Sequence, residues 1–364
     1  MINRDIEVND FGRTRDGRDI HLITITNSNG TVMELTDMGA SLVSLYVSDR
    51  NGEMADVVLG HRSGECYERY NGDLFGTIVG RNANRISGHS FTLNGIRYEL
   101  ADNCRGLNIH SGPFLYGERL WEYEILDNEE GSGIVFSLFS PDGDQGMPGN
   151  LNVSVSYILS EDNSVIIRYN AISDKDTVIN LTNHSYFNLN GHDSGSIDEH
   201  YLWINAEYST YSLTDDMSDM CFHDIIGTSM DFTVMKPIGE CVNSSYKPVK
   251  RCRGLDHNFC IRNGGGEVVH AARLESRLSG RRLDVYTDRP GLQVYTANGI
   301  NNKYTIKNNA QYMPRCGIAL ETQHYPDAVN HPEFPSPFVR TGEMFDSCTV
   351  YRFSLTDEEH NNER

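Results

Sequence analysis

The chain has 364 residues, of which 51 are acidic and 31 are lysine or arginine, so its formal net charge at neutral pH is −20. Such an acidic surface repels phosphate backbones and anionic lipid headgroups, which argues against nucleic acid or a membrane as a partner. No apolar run approaches the length of about 20 residues that crosses a bilayer, and the first residues lack the apolar segment of a secretory signal. We therefore expect a cytoplasmic protein.

Hydrophobic residues recur mainly with a period of two, which is the period of a β-strand. In chain order, strands are predicted over residues 20–26, 90–93, 97–100, 134–138, 151–157, 164–170, 177–181, 201–205, 283–287, 292–297 and 350–355. Asn94 and Gly95 predict a type I′ hairpin, and residues 264–266 (GGG) predict a hairpin tip. Helical pattern is sparse, and only residues 63–70 favour a short helix. Many short strands between turns are typical of an all-β sandwich or barrel.

No linker, repeat or low-complexity tract divides the chain. We therefore predict a single domain over residues 1–364, with residues 357–364 as a charged, frayed tail. Eight cysteines are spread along the chain without a C-x-x-C pair. A zinc ribbon or a dithiol redox motif depends on such pairs, so the cysteines are predicted to be structural.

The common nucleotide, zinc-protease and serine-hydrolase motifs are absent from the sequence. Polar clusters at the ends of predicted strands remain as candidate sites. Residues 80–86 (GRNANRI) and 108–112 (NIHSG) bring several hydrogen-bond donors together, which suits a ligand rich in hydroxyl oxygens. The alternative is a polar loop that satisfies its own backbone.

A second cluster spans residues 180–189 (NLTNHSYFNL), where His184 follows an apolar strand and precedes two aromatic residues. A histidine exchanges a proton readily near neutral pH, and aromatic faces stack on the apolar face of a sugar ring. A histidine with an ordinary structural role is the commoner alternative.

A third cluster spans residues 318–328 (IALETQHYPDA), an apolar strand that is predicted to end at Glu321. Partial burial of this carboxylate would raise its pKa and make it a useful base, whereas full exposure would make it an ordinary strand-end glutamate. Asp256, in residues 254–259 (GLDHNF), is a further candidate of the same kind.

Taken together, these segments resemble the galactose mutarotase (aldose 1-epimerase) family. The segments that carry the resemblance, in family order, are residues 80–86, 108–112, 141–151, 180–189, 255–258, 290–296 and 321–332. The resemblance extends over nearly the whole chain, from about residue 20 to residue 355. Residues 113–117 and 215–224 depart from the family pattern in loops that could line or cover the cleft, so the preferred sugar is left open.

The resemblance implies a large, twisted, antiparallel β-sandwich with a sugar site in an open cleft. It implies interconversion of the α and β anomers of a free aldohexose, such as galactose or glucose, without a metal or an organic cofactor. His184 matches the general acid of the family and Glu321 the general base. The positions that match sugar-holding residues are Asn84, Arg85, His110, Tyr186, Asp256 and Gln293.

Two other functions stay open. The first is a sugar-binding protein without turnover, although such a protein needs neither a proton donor nor a base. The second is an epimerase of hexose 6-phosphates, which the net charge of −20 disfavours. The sequence also leaves open whether the chain is a monomer or a homodimer.

Overall fold

The computed structural model describes residues 5–301 and 306–356, and the predicted tail over residues 357–364 lies outside them. Most of the regular structure is β-strand. The strands, numbered β1 to β28 in chain order, are Asp5–Arg13, Asp19–Thr26, Val32–Thr36, Ser41–Ser48, Met54–Asp56, Ile78–Val79, Arg85–Ser87, Ser90–Leu93, Ile96–Glu99, Leu107–Ile109, Glu122–Asn128, Gly131–Ser140, Leu151–Leu159, Ser164–Ser173, Thr177–Val178, Thr182–Asn183, Tyr186–Phe187, Tyr201–Ile204, Tyr208–Tyr211, Cys221–Asp224, Lys236–Pro237, Asp256–Cys260, Val269–Glu275, Arg281–Thr287, Gly291–Tyr295, Ile318–Gln323, Phe338–Val339 and Met344–Leu355. The α-helices, α1 to α3, are Gly64–Arg69, Ile238–Val242 and Lys247–Cys252.

Three large sheets organise the molecule. One has nine strands in the order β11-β12-β13-β14-β28-β24-β23-β18-β21, one has six in the order β17-β26-β25-β22-β19-β20, and one has five in the order β1 to β5. Neighbouring strands within these sheets run antiparallel, as in β13 with β14 and in β25 with β26. The predicted all-β antiparallel fold is therefore confirmed.

One hydrophobic core joins the three sheets. Side chains alternate along β13, so that Leu151, Val153 and Val155 are buried while Asn152 faces outward. They belong to the same buried cluster as Leu42 of β4 and residues of the six-stranded sheet. Burying an aliphatic side chain of this size stabilises the folded state by about 1.5–3 kcal/mol. This packing holds the six-stranded sheet, which carries the candidate site, in a fixed position.

Several local predictions are confirmed. Leu93 and Ile96 pair across a two-residue turn, and Asn94 and Gly95 have φ angles of 52° and 78°. Positive φ at both central positions is the property of the type I′ turn that the Asn-Gly pair predicted. Helix α1 lies within the segment 63–70 that was predicted to be helical.

Two local predictions are wrong. The strand predicted over residues 177–181 ends at Val178, because the backbone of Asn180 bonds instead to Arg81 and Ala83 of a neighbouring loop. Residues 264–266 do not form a hairpin tip. They connect β22 of the six-stranded sheet to β23 of the nine-stranded sheet, so the chain changes sheets there.

The helices of the described residues are short, with at most six residues in any α-helix. Within residues 5–301 and 306–356, no helix has the length and apolar character needed to cross a membrane.

Candidate active site

The register of three neighbouring strands assembles one wall of the candidate site. Glu321 of β26 lies opposite Gln293 of β25, which lies opposite Asn258 of β22. Because side chains alternate along a strand, all three point to the same face of the sheet. Asp256 lies two residues before Asn258 and therefore shares this face.

His184 is held above this wall by its backbone. It follows the short strand β16, and its N–H donates to the carbonyl of Thr77 at 2.9 Å while its own carbonyl accepts from the N–H of Gly76 at 3.0 Å. Two residues later, Tyr186 pairs with Ala319 of β26, beside Glu321. As a result, the Nε2 atom of His184 lies 3.6 Å from Oε1 of Glu321.

A polar chain closes the other side of the site. Asp256 accepts a hydrogen bond from Nη2 of Arg85 at 3.0 Å and another from Nε2 of Gln293 at 2.6 Å. Arg85 pairs with Ile109 across strands β7 and β10, which brings the adjacent His110 to the same place. The ring centroids of His110 and His184 are 5.6 Å apart.

Asn84 links this polar chain to His110. Its backbone N–H donates to Nδ1 of His110 at 3.2 Å, so Nδ1 is an acceptor and Nε2 carries the proton of the neutral ring. Asn84 has a φ of 63°, a left-handed conformation that asparagine tolerates better than most residues. Asn84 lies in the wall of the cavity that these residues form.

The predicted site residues line one cavity of about 400 Å³. All eight predicted site residues belong to its lining, namely Asn84, Arg85, His110, His184, Tyr186, Asp256, Gln293 and Glu321. The structure therefore brings these eight side chains together, although they come from distant parts of the chain.

Burial controls the protonation of the central pair. Glu321 is 2% exposed, and its burial raises its pKa well above the usual value, with Asp256 adding to the rise and Arg85 opposing it. Burial also lowers the pKa of His184 to about 4. Both shifts favour the neutral forms of the two side chains, which together hold one dissociable proton when both are neutral.

Burial and neighbouring groups together set the protonation states of Asp256 and His110. Burial raises the pKa of Asp256, but Arg85 and His257 outweigh it and hold this pKa below its usual value. Burial lowers the pKa of His110 well below its usual value, and His184 and Arg85 add to that effect. Asp256 is thus an ionised acceptor and His110 a neutral imidazole.

Two details differ from the sequence-based expectations. Strand β26 continues to Gln323 rather than ending at Glu321, so Glu321 lies deeper than a strand-end residue would. Arg81 does not reach the cavity. It is fully buried and donates to the carbonyls of Pro148 and Gly149, so of the two arginines in residues 80–86 only Arg85 belongs to the site.

Sequence reasoning missed some of the lining and left two loops open. Asp73 and Tyr295 also line the cavity. Tyr295 lies in a segment that carries the resemblance, whereas nothing in the sequence pattern marked Asp73. Of the loops that depart from the family pattern, residues 113–117 supply Leu115 to this cavity.

A second cavity of about 380 Å³ adjoins the first. The two share Asn84, Arg85, Asp256 and Gln293 in their linings. The loop over residues 215–224 contributes to the second cavity, so both divergent loops border the candidate site.

In the part of the chain that the structure describes, no group of three or more His, Cys, Asp or Glu side chains is arranged to hold a metal ion. All eight cysteines are free thiols.

Comparison with known proteins places these features in a family. The sequence matches the aldose 1-epimerase family profile over residues 21–352. It is 38% identical to galactose mutarotase of Homo sapiens, over 89% of this chain and 91% of that protein. It is 36% identical to aldose 1-epimerase of Escherichia coli strain K12, over 93% of this chain and 96% of that protein.

Solved structures agree with the sequence comparison. The galactose 1-epimerase of Lactobacillus acidophilus NCFM superposes with a TM-score of 0.85 at 26% identity, covering 98% of this chain and 100% of that one. An aldose epimerase homologue from C. elegans gives a TM-score of 0.81 at 26% identity, covering 97% of this chain and 100% of that one. The chain therefore belongs to the aldose 1-epimerase family and is an isomerase of that class.

Proposed function

We propose that the protein interconverts the α and β anomers of free aldohexoses, with galactose and glucose as substrates, Glu321 as general base and His184 as general acid. The observation that supports this most is the Glu321–His184 pair, 3.6 Å apart in a cavity that polar side chains surround. A binding protein has no use for a buried carboxylate and imidazole that share one proton.

The pair matches the chemistry of ring opening. A cyclic hemiacetal opens when the hydroxyl on C1 loses a proton and the ring oxygen gains one. Glu321 takes the first proton and His184 supplies the second. The open-chain aldehyde then rotates about the C1–C2 bond and closes on its other face, while the two residues exchange roles and return to their starting protonation.

The single shared proton is consistent with this cycle. The neutral pair and the pair of carboxylate with imidazolium contain the same number of protons, so they are tautomers of one state. A sugar hydroxyl that donates to Glu321 stabilises the carboxylate, as hydrogen bonding to the charged form always does. Substrate binding thus favours the tautomer that the reaction requires.

The surrounding residues are proposed to hold the sugar. Asp256 is an ionised acceptor for hydroxyl groups, and Arg85 and Gln293 fix its orientation. His110 and Arg85 are proposed to stabilise negative charge that develops on the ring oxygen. Tyr186, whose ring centroid is 5.0 Å from that of His184, offers an aromatic face to the sugar ring.

Polarimetry tests the proposal directly. Freshly dissolved α-D-galactose and α-D-glucose are followed to equilibrium with the wild-type protein and with Glu321→Gln and His184→Asn. Each substitution is expected to lower the catalysed rate roughly 10²- to 10⁴-fold, the typical contribution of one acid or base. An undiminished rate in a folded variant would remove that residue from its proposed role.

The same experiment separates the other functions. Sugar binding without acceleration by the wild-type protein would favour a binding protein. A preference for hexose 6-phosphate over the neutral sugar in a competition assay would favour the phosphosugar epimerase. Against this second alternative, Arg85, the arginine of the first cavity, is already paired with Asp256.

A further inference from the structure

Gln323 is an unusual residue on the strand that carries Glu321. It lies two residues further along β26, so its side chain is on the same face of the sheet. It is fully buried, and neither Nε2 nor Oε1 of its amide has a hydrogen-bond partner among the described residues. Leaving one such buried group unsatisfied costs about 1–3 kcal/mol, so a native protein rarely retains it without a reason.

Three hydrogen-bond acceptors on the same face are likewise buried without a hydrogen-bond partner in the described part of the chain. They are Oε2 of Glu321, Oε1 of Gln293 and Oδ1 of Asn258. The residues lie on the neighbouring strands β26, β25 and β22, in register with one another. One amide donor and four acceptors, counting Oε1 of Gln323 itself, therefore lie at neighbouring positions on one face of the sheet.

Gly291 leaves room for the Asn258 amide. It lies on β25 opposite Gln323 of β26, and its partner on β22 is Cys260, two residues beyond Asn258. A Cβ atom on Gly291 would lie 2.4 Å from Oδ1 of Asn258 and 2.9 Å from Cδ1 of Tyr325, so only glycine lets the Asn258 amide extend over this position, next to Gln323. A buried water needs two to four polar partners, and this group of side chains provides them.

We propose that Gln323 is a positioning residue for Glu321 and acts through a water molecule bound between the side chains of Gln323, Glu321 and Asn258. The water accepts a hydrogen bond from Nε2 of Gln323 and donates to Oε2 of Glu321 and to Oδ1 of Asn258. Oε1 of Glu321 is then left to face Nε2 of His184 and the substrate. The carboxylate is held in one orientation, as such supporting contacts commonly do in active sites.

The water also changes the energetics of Glu321. A hydrogen bond donated to the carboxylate stabilises its charged form and opposes the effect of burial. The titratable and charged groups that face or influence Glu321 are His184, Asp256, Arg85, Tyr186 and Tyr351. None of them donates to Oε2, so the proposed water is the source of this stabilisation.

The experiment titrates Glu321 in the full-length protein. The carboxyl carbon of Glu321 is followed by NMR in glutamate-labelled protein, with the signal assigned by its loss in Glu321→Gln. Gln323→Met keeps the size of the side chain and removes the donor. We expect the pKa of Glu321 to rise in this variant and kcat for α-D-galactose to fall about tenfold with KM unchanged.

A second variant tests the same water without changing Gln323. Gly291→Ala leaves Gln323 intact but pushes the Asn258 amide away from the water, so it is expected to raise the pKa of Glu321 in the same direction. Thr322→Val is the matched control, because Thr322 lies on the same strand and bonds to Thr349 on the opposite face. It is expected to lower the melting temperature without moving the Glu321 titration.

The outcomes separate this inference from the proposed function on which it rests. An unchanged Glu321 titration in folded Gln323→Met, or in folded Gly291→Ala, would overturn the positioning role. An equal shift in Thr322→Val would also overturn it, because the effect would then be a general loss of packing. The NMR titration does not depend on turnover, so failure of the enzymatic proposal would appear in the polarimetry alone.

Discussion

Asp56 and Glu321 are both buried carboxylates, and their surroundings differ in the number of partners. Asp56 receives the ammonium group of Lys307 at 2.5 Å and the backbone N–H groups of Leu45 and Val58 at 3.1 Å each. Lys307 in turn donates to the carbonyl of Val43 on β4 and to that of Val58. The Asp56 carboxylate and the Lys307 ammonium therefore compensate each other, as a structural ion pair requires.

The surroundings of Glu321 are less complete. Its Oε1 faces His184 at 3.6 Å, and no protein group among the described residues bonds to its Oε2, so that only the proposed water donates to it. A carboxylate in this condition is costly to ionise but ready to exchange a proton with a ligand. The comparison indicates that the partners of a buried charge, more than its burial, distinguish a structural group from a chemically active one.

The largest expected effect is on stability, at Lys307. Lys307→Met leaves Asp56 buried without its counter-charge, which typically costs about 3–5 kcal/mol of unfolding free energy. Denaturant unfolding measures this cost, and kcat/KM of the fraction that stays folded should equal that of the wild type. A loss of less than 1 kcal/mol, or a selective loss of activity, would contradict the structural role of this pair.

A smaller effect is expected at Arg85. It forms an ion pair with Asp256, as Lys307 does with Asp56, but this pair lies in the candidate site. Arg85→Met removes the guanidinium from Asp256, and hydrogen bonds to charged groups contribute about 1.5–3 kcal/mol. We expect kcat/KM for galactose to fall about 100-fold by polarimetry, a loss that corresponds to an energy of this size. Arg273→Met is the control, because Arg273 bonds to the buried Asp284 on the nine-stranded sheet, away from the cavity. A similar loss in both variants would mean that Arg85 acts only on stability.

The pH profile sharpens the comparison further. The pair is active with one proton, so activity is lost when a second proton binds and when the last one leaves. The acid limb is expected near pH 4, where the lowered pKa of His184 lies. The alkaline limb is set by the raised pKa of Glu321. Catalysed rates are corrected with the Glu321→Gln protein in the same buffers, and an acid limb at 6.5, the ordinary value for histidine, would contradict the burial argument.

The sequence predicted which residues form the site better than it predicted how their side chains are arranged. The all-β class followed from the period-two pattern, and the resemblance identified residues that do line one cavity. Nothing local in the sequence distinguishes Arg81 from Arg85, because the difference lies in carbonyl acceptors such as that of Pro148, 67 residues away. Likewise, the burial of Glu321 and the lack of protein hydrogen-bond partners for the Gln323 amide depend on the register of β22, β25 and β26. That register is a property of the whole sheet and not of one local segment.

The smallest expected effect is on the stability of Glu321→Gln. In the unfolded chain this carboxyl titrates near its usual value of 4.5, whereas in the folded protein burial raises its pKa. Between these two values the folded state keeps a proton that the unfolded state has released, so rising pH destabilises the fold. Removing the ionisable group removes this cost. The melting temperature of Glu321→Gln should therefore exceed that of the wild type at neutral pH by about 2 °C or more, and the two should converge toward pH 4.5, the opposite of the behaviour expected at Lys307.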